Sequence, residues 1–241
     1  PTVPVTLRHV EAQAPLRSLG WSSGQVSSLR TVNDAEVLGW YARLQRLDGG
    51  RWSREQVHDI LAGVAPRQTS ERWESRLDAR AVSLLKGQPS VRQMELPGAP
   101  QEGTRPFEVV GVPLDEPGFH VLEIESPRLG ESLLEEGVPM YVRTGVLLTN
   151  LSLHIKQGRD DLLVWVTTLA DAQPVAEAEI TVLDCRGNHV ISGQTDEQGL
   201  WHYLAPIDAP NYCNETGLEG LFVSAWIPAE HPLADGSADY S

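Results

Sequence analysis

The sequence predicts a mainly β chain built as tandem antiparallel β-sandwich domains, the first carrying a short two-helix insertion. Three observations carry this. From about residue 106 onward, short runs rich in β-branched and aromatic residues recur every ten or so positions with turn signals between them. Helical spacing of apolar residues is confined to about 33–65. The chain has 241 residues, 41% hydrophobic and 22% charged, which is enough for two cores of ordinary size.

The run Val3 to Val10 reads as a strand, and Gly20 to Ser28 as a Gly/Ser-rich turn region. Asn33 with Glu36 resembles a capping box; Val37, Tyr41, Leu44 and Leu47 then recur at helical spacing until Gly49 and Gly50 stop them. Ser53 with Gln56 makes a second S-x-x-Q cap. It opens a short helix lined by Val57, Ile60, Leu61 and Val64 and ended by Gly63 and Pro66. Residues 70–96 fit neither period and are read as strands. Beyond them come strands at Phe107–Val112 and Phe119–Glu125, separated by a Pro117-Gly118 turn. A polar connection from Glu131 to Gly137 leads to a strand at Met140–Leu148.

Leu151, Leu153 and Ile155 alternate with Ser152, His154 and Lys156, and Gly158 to Asp161 supplies a turn. Leu162 to Leu169 is a nearly continuous apolar strand. After a turn at Pro174, Ile180 and Val182 alternate again, and further strands are expected at His189–Ser192, Leu200–Leu204 and Leu221–Ile227. Ala234 to Ser241 show no strong strand signal, so a closing strand is expected to lie past them. The resulting division is 1–146, with the insertion at about 33–65, and 147–241.

The formal charge of −14 argues against a generic binder of nucleic acid or anionic membrane, because such a surface repels phosphate at long range. The acidity is uneven: residues 141–241 hold 4 basic and 14 acidic side chains. No apolar run is long enough to span a bilayer, and the start lacks the regions of a signal peptide. Cys185 and Cys213 are the 2 cysteines; by spacing they are two buried thiols, a redox couple outside the C-x-x-C pattern, or one disulfide.

Several patterns have a chemical reading and a bland one. Gly20-Trp21-Ser22-Ser23-Gly24 matches the G-x-S-x-G nucleophile elbow, but no helix leaves it and no βαβ pattern surrounds it, so it reads as a loop. The 7 histidines are scattered without ligand spacing, and Arg159-Asp160-Asp161 reads as a solvated turn; neither metal nor cofactor is expected. Trp165, Trp201 and Trp226 lie in strand patterns and are expected in cores. Trp21, Trp40 and Trp52 lie in or near the insertion and are expected to be partly exposed, as candidates for facing a neighbouring domain.

One combination is more specific. Pro174-Val175-Ala176-x-Ala178-x-Ile180-x-Val182, then Gly187, then Thr195-Asp196-x-x-Gly199, describes a strand, a turn, a returning strand and a T-D-x-x-G turn. Pro174 starts the first turn, and Asp196 caps the second, which Gly199 closes. With Met140–Lys156, Gly158-Arg159 and Leu163–Leu169 upstream, and Pro117–Gly130 before them, this resembles the N-terminal macroglobulin-like domains of bacterial alpha-2-macroglobulins. The likeness is good over about 105–227 and weak over 1–104.

The resemblance implies macroglobulin-like, immunoglobulin-like sandwiches, with the Asp184-Cys185-x-Gly187 turn and Cys213 forming a family disulfide. It also implies an oxidising periplasmic compartment, the full-length protein being a candidate lipoprotein. Such proteins resemble large traps: a protease cuts a bait segment, the body rearranges, and in some members a Cys-to-Gln thioester acylates the captured enzyme. A thioester needs C-x-E-Q, and neither cysteine here is followed by it. The implied role is therefore non-enzymatic framework, with neighbouring domains of the same polypeptide as direct partners and target proteases met through the whole protein. A stand-alone adhesion or carbohydrate-binding module is the alternative, expected to show two coplanar exposed tryptophans in a cleft.

Overall fold

The computed structural model describes residues 2–8, 26–32, 36–95, 107–114, 117–134, 137–234 and 236–241. In the first half these form β1 (Thr2–Arg8), β2 (Val26–Val32), α1 (Val37–Leu47), β3 (Arg51–Trp52), α2 (Arg54–Ala62), β4 (Leu77–Asp78), β5 (Arg92–Glu95), β6 (Phe107–Pro113), β7 (Gly118–Ser126), α3 (Pro127–Leu133) and β8 (Met140–Leu148). The second half holds β9 (Leu151–Gln157), β10 (Leu162–Thr168), β11 (Glu179–Leu183), β12 (His189–Gln194), β13 (Leu200–Tyr203), β14 (Tyr212–Cys213), β15 (Leu218–Glu219), β16 (Phe222–Ile227) and β17 (Asp239–Tyr240). The molecule is mainly β, and every ladder among the described residues is antiparallel.

The first half is organised about β7, which pairs with β2 on one side and β8 on the other in the sheet β5-β2-β7-β8. Because successive side chains point to opposite faces, Phe119 and Val121 enter a core with Trp40, Leu44, Leu47, Val57 and Ile60 of the helices. Leu122 points the other way, into a second core with Val112 of β6 and Leu114 just past it. Both faces are covered, which is why Phe119–Ile124 reads as an unbroken buried run instead of an alternating one.

The second half is a sandwich. Leu151, Leu162, Val164 and Val166 of the β13-β10-β9 sheet share one core with Ile180, Val182, Ala225 and Ile227 of the β12-β11-β16-β17 sheet. Small Ala178 and Ala225 are fully buried where the sheets approach.

Both expected helices form. The Ser53 cap is complete: the Gln56 N–H donates to Ser53 Oγ at 3.1 Å, and the Ser53 N–H donates to Gln56 Oε1 at 3.1 Å. At α1, Asn33 lies outside the described residues, and Glu36 is itself the cap. It has a helical backbone and makes no side-chain cap bond of its own, and the expected pairing with Asn33 lies outside the described residues.

Other expectations need correction. Residues 70–95 are strand only at β4 and β5; two 3₁₀ turns, Trp73–Ser75 and Ala79–Ala81, and irregular backbone make up the rest, the second turn capped by Asp78 Oδ1 accepting from the Arg80 N–H at 2.9 Å. Their irregular spacing arises because Ala79, Val82, Leu84 and Leu85 fill the helical core from turns. The polar connection after β7 contains α3, opened by Ser126 Oγ accepting from the Leu129 N–H and by Pro127 at the first helical turn. The tail supplies β17, which pairs with the end of β16 through Trp226↔Tyr240 and Ile227↔Asp239.

Candidate docking interface

Helix α1 uses two faces. Trp40, Leu44 and Leu47 belong to the core shared with β7. Leu38, Ala42 and Arg46 form a separate row at four-residue spacing, which places them one above another on a straight ridge. Leu38 and Ala42 pack in a cluster with Cys185, Cys213 and Leu218, with Phe222 at its edge.

The surface under that ridge is made by one disulfide and two corners. Cys185 and Cys213 are bridged, with Sγ–Sγ 2.01 Å, and both are 0% exposed. The corner after Cys185 is built on Asp184, whose Oδ1 accepts from the Arg186 and Asn188 N–H groups at 2.8 Å each. Burial alone pushes the Asp184 carboxyl up, but the hydrogen bonds from Asn188 and Arg186 outweigh it and hold it below the usual range. Gly187 turns this corner at φ +88°, and a Cβ there would lie 3.1 Å from Leu38 Cδ2, so the glycine serves both the turn and the approach of the helix.

The corner after Cys213 runs between β14 and β15. Thr216 Oγ1 donates to the Cys185 carbonyl at 2.6 Å and so ties it to the first corner. Arg46 lies over Gly217 and donates from its guanidinium to the Asn214 carbonyl at 2.7 Å and the Val64 carbonyl at 3.1 Å. One arginine thus links the segment after α2 to the disulfide-closed loop. Tyr41 meets Phe222 edge-on with ring centroids 6.0 Å apart.

A second joint lies at β17. Tyr240 packs against the helical core of the first half, and its Oη accepts from the Phe119 N–H of β7. Its neighbour Asp239 accepts through Oδ2 from the Asn150 N–H at 2.8 Å, between β8 and β9.

The helices are held on the sheet by a buried ion pair. Arg143 of β8 and Glu123 of β7 have side chains 4% and 3% exposed, with Nε to Oε2 at 3.7 Å, an electrostatic contact too long for a hydrogen bond. Arg143 donates to the carbonyls of Leu47 at 3.1 Å, Ala79 at 3.0 Å and Val82 at 2.7 Å, gathering the end of α1 and the 3₁₀ segment onto the sheet. Glu123 accepts from Ser83 Oγ and from the Leu84 N–H at 2.6 Å. Burial lowers the Arg143 pKa below its ordinary value.

The residues singled out in the sequence fall as follows. Pro174, Asp196 and Gly199 converge: Gly199 accepts from the Val166 N–H at 2.8 Å, and a Cβ on it would lie 3.3 Å from Pro174 Cα. Asp196 Oδ1 accepts from the Gln198 and Leu200 N–H groups at 2.9 Å each. Trp40 is not partly exposed but buried, because its position in α1 turns it into the helical core, where Arg43 stacks on it at 4.7 Å. Trp52 is half-buried against the same core. Trp21 and the whole Gly20–Gly24 pattern with Ser22 lie outside the described residues.

Trp165 departs from expectation in the opposite sense. It is 40% exposed on the outer face of β10, since its neighbours Val164 and Val166 take the inward positions. There it lies against His154, with ring centroids 5.3 Å apart. The other clearly exposed described tryptophan, Trp73, sits in a 3₁₀ turn of the first half. Asp161 of the Arg159–Asp161 turn has its Oδ2 3.0 Å from His202 Nε2. Among the described residues no group of three or more His, Cys, Asp and Glu side chains is placed to hold a metal ion, and no helix is long and apolar enough to cross a membrane.

Sequence reasoning missed the Leu38-Ala42-Arg46 ridge. A small residue midway between Leu38 and Arg46, on the flank of the Trp40–Leu47 stripe, was the available sign that a second partner approaches α1.

The family model of the bacterial alpha-2-macroglobulin MG3 domain matches residues 148–233, from the last residue of β8 to beyond β16, including both cysteines and both corners of the interface. No curated protein matches the chain. Among solved structures, native alpha-2-macroglobulin from Escherichia coli spanning domains NIE-MG1 is similar with a TM-score of 0.47 at 12% identity, over 90% of this chain and 81% of that one. The same protein spanning MG0-NIE-MG1 gives a TM-score of 0.47 at 12% identity over 100% of this chain, which spans 57% of the length of that one. Residues 148–233 are thus similar to the MG3 domain of bacterial alpha-2-macroglobulins, which is where the likeness of this chain to that family lies.

Proposed function

We propose that the chain is a non-catalytic scaffold segment of a bacterial alpha-2-macroglobulin-like inhibitor that traps attacking proteases, made of two units at 1–146 and 147–241. The observation that carries this reading is the two-faced α1. One short helix completes the core of the first unit and, through Leu38, Ala42 and Arg46, docks on the disulfide-closed loop of the second. Such an arrangement suits a strut that holds its units at a fixed angle and transmits rearrangement between them.

Both cysteines are committed to the bridge, so this segment has no thiol to offer a thioester. The bridge fits an oxidising compartment, and the family points to the periplasm. Direct partners are then neighbouring domains of the same polypeptide, with proteases met by the assembled protein.

The test uses the full-length protein incubated with a protease of broad specificity. The expected result is loss of activity on a large protein substrate with activity on a small peptide substrate retained, and a Leu38→Glu, Ala42→Glu variant that traps less. A full-length protein that leaves both activities untouched contradicts the proposal.

A further inference from the structure

We infer that helix α1 is a lid over the Cys185–Cys213 disulfide, so that undocking of α1 converts an inert bridge into one open to thiol–disulfide exchange. This goes beyond the scaffold reading and stands without it, because it rests on the packing around the sulfurs alone.

Exchange requires a thiolate to reach a disulfide sulfur along the S–S axis, so access sets the rate as much as thiol chemistry does. Both cysteines are fully buried. The cover comes from two sources: Leu218, Phe222 and the Pro210 carbonyl, 3.4 Å from Cys185 Sγ, from their own unit, and Leu38 and Ala42 from α1. The α1 side of that cover is not part of the sandwich core, whose residues form a separate cluster. It can therefore lift while β9 to β16 stay folded.

The latch is visible as well. Arg46 grips the Asn214 carbonyl one residue past Cys213, and Leu38 closes on Gly187 two residues past Cys185. The lid is thus fastened at both ends of the bridge.

When α1 lifts, the thiolate of an external dithiol attacks one sulfur and forms a mixed disulfide, releasing the other cysteine as a thiolate. The second thiol of the reagent then displaces the first cysteine. The reagent ends as a disulfide, and Cys185 and Cys213 end as thiols, two electrons having passed to the protein. Linkage adds an equilibrium counterpart: to the extent that docking favours the bridged form over the dithiol, losing the bridge weakens docking.

The experiment treats the intact chain with dithiothreitol without denaturant and counts free thiols by alkylation and mass spectrometry over time. Arg46→Ala and Ala42→Glu are compared with the parent, and hydrogen exchange in β10 and β11 checks that the sandwich stays folded. The expected result is slow reduction of the parent, reduction at least tenfold faster in Ala42→Glu and severalfold faster in Arg46→Ala. In the Cys185→Ser, Cys213→Ser variant, exchange of the 38–46 amides rises above that of the parent. Equal reduction rates in the parent and Arg46→Ala overturn the lid, whatever Ala42→Glu does to folding. So does a parent whose bridge reduces as fast as that of the urea-unfolded chain.

Discussion

Replacing Arg143 by methionine removes the clamp that seats the helical insertion, and its cost can be worked from the contacts. The guanidinium is almost completely buried beside an equally buried Glu123. Removing one partner of such a pair leaves the other charge uncompensated, which costs about 3–5 kcal/mol. Three carbonyls, those of Leu47, Ala79 and Val82, also lose a donor. Part of that loss is already counted in the range, and the methionine stem recovers some packing. A drop of about 3–4 kcal/mol is therefore expected, a large share of the 5–15 kcal/mol typical of a domain.

Urea denaturation followed by tryptophan fluorescence measures this, since Trp40 sits in the core that Arg143 closes. A double cycle with Glu123→Gln separates charge from packing. The single variant leaves Glu123 charged and buried with only the Ser83 and Leu84 donors, and the glutamine removes that charge, so the double variant is expected to be the more stable of the two. A loss under 1 kcal/mol in Arg143→Met, or a double variant less stable than the single one, would refute the claim that this pair holds the insertion.

Three further outcomes follow from the same contacts. Arg67 forks onto Asp59 and holds its carboxyl at about 2, below its ordinary value, mainly by side-chain and backbone hydrogen bonds. Because the folded pKa is the lower one, this stability is complete above the ordinary carboxylate value and is lost as pH falls toward 2. Asp59→Asn should accordingly flatten the acid limb of a thermal-melt series between pH 4 and pH 2. Gly187→Ala forces a methyl into a corner at φ +88° and against Leu38; a loss of about 1–3 kcal/mol is expected in urea, with faster hydrogen exchange in α1. Ser53→Ala deletes one half of the α2 cap and is expected to cost about 1 kcal/mol, read as a lowered Tm.

How legible the molecule was depends on whether one element answers to one partner. The strands of the second half were readable because each buries a single face, so Ile180 and Val182 alternate with exposed or half-exposed neighbours. The S-x-x-Q cap of α2 was readable because its two bonds are local. Residues 70–96 were not, since their apolar side chains reach the core from turns and leave no period. Helix α1 was half readable. The stripe that meets β7 follows the expected spacing, but Trp40 also turns inward and Tyr41 stays at the rim.

The interface itself left little trace. Its chemistry resides in backbone carbonyls, two tight corners and a disulfide brought to α1 from far along the chain. Asn214, which receives Arg46, stands 168 positions away from it. The cysteine pair was visible as a pair, but that a helix of the other half covers it depends on tertiary packing. Trp165 misled for a related reason: a strand of apolar residues such as Leu162–Val166 hides its outward positions when those too are apolar.

That α1 welds the two halves is the central claim, and hydrogen exchange by mass spectrometry tests it most directly. In the parent protein, the amides of α1 and of the 213–218 hairpin should open together, with one apparent free energy, while β10 and β11 stay more protected. Leu38→Glu should raise exchange in α1 and in the hairpin alike. A variant in which α1 loosens while the 213–218 amides keep their parent rates would contradict the account.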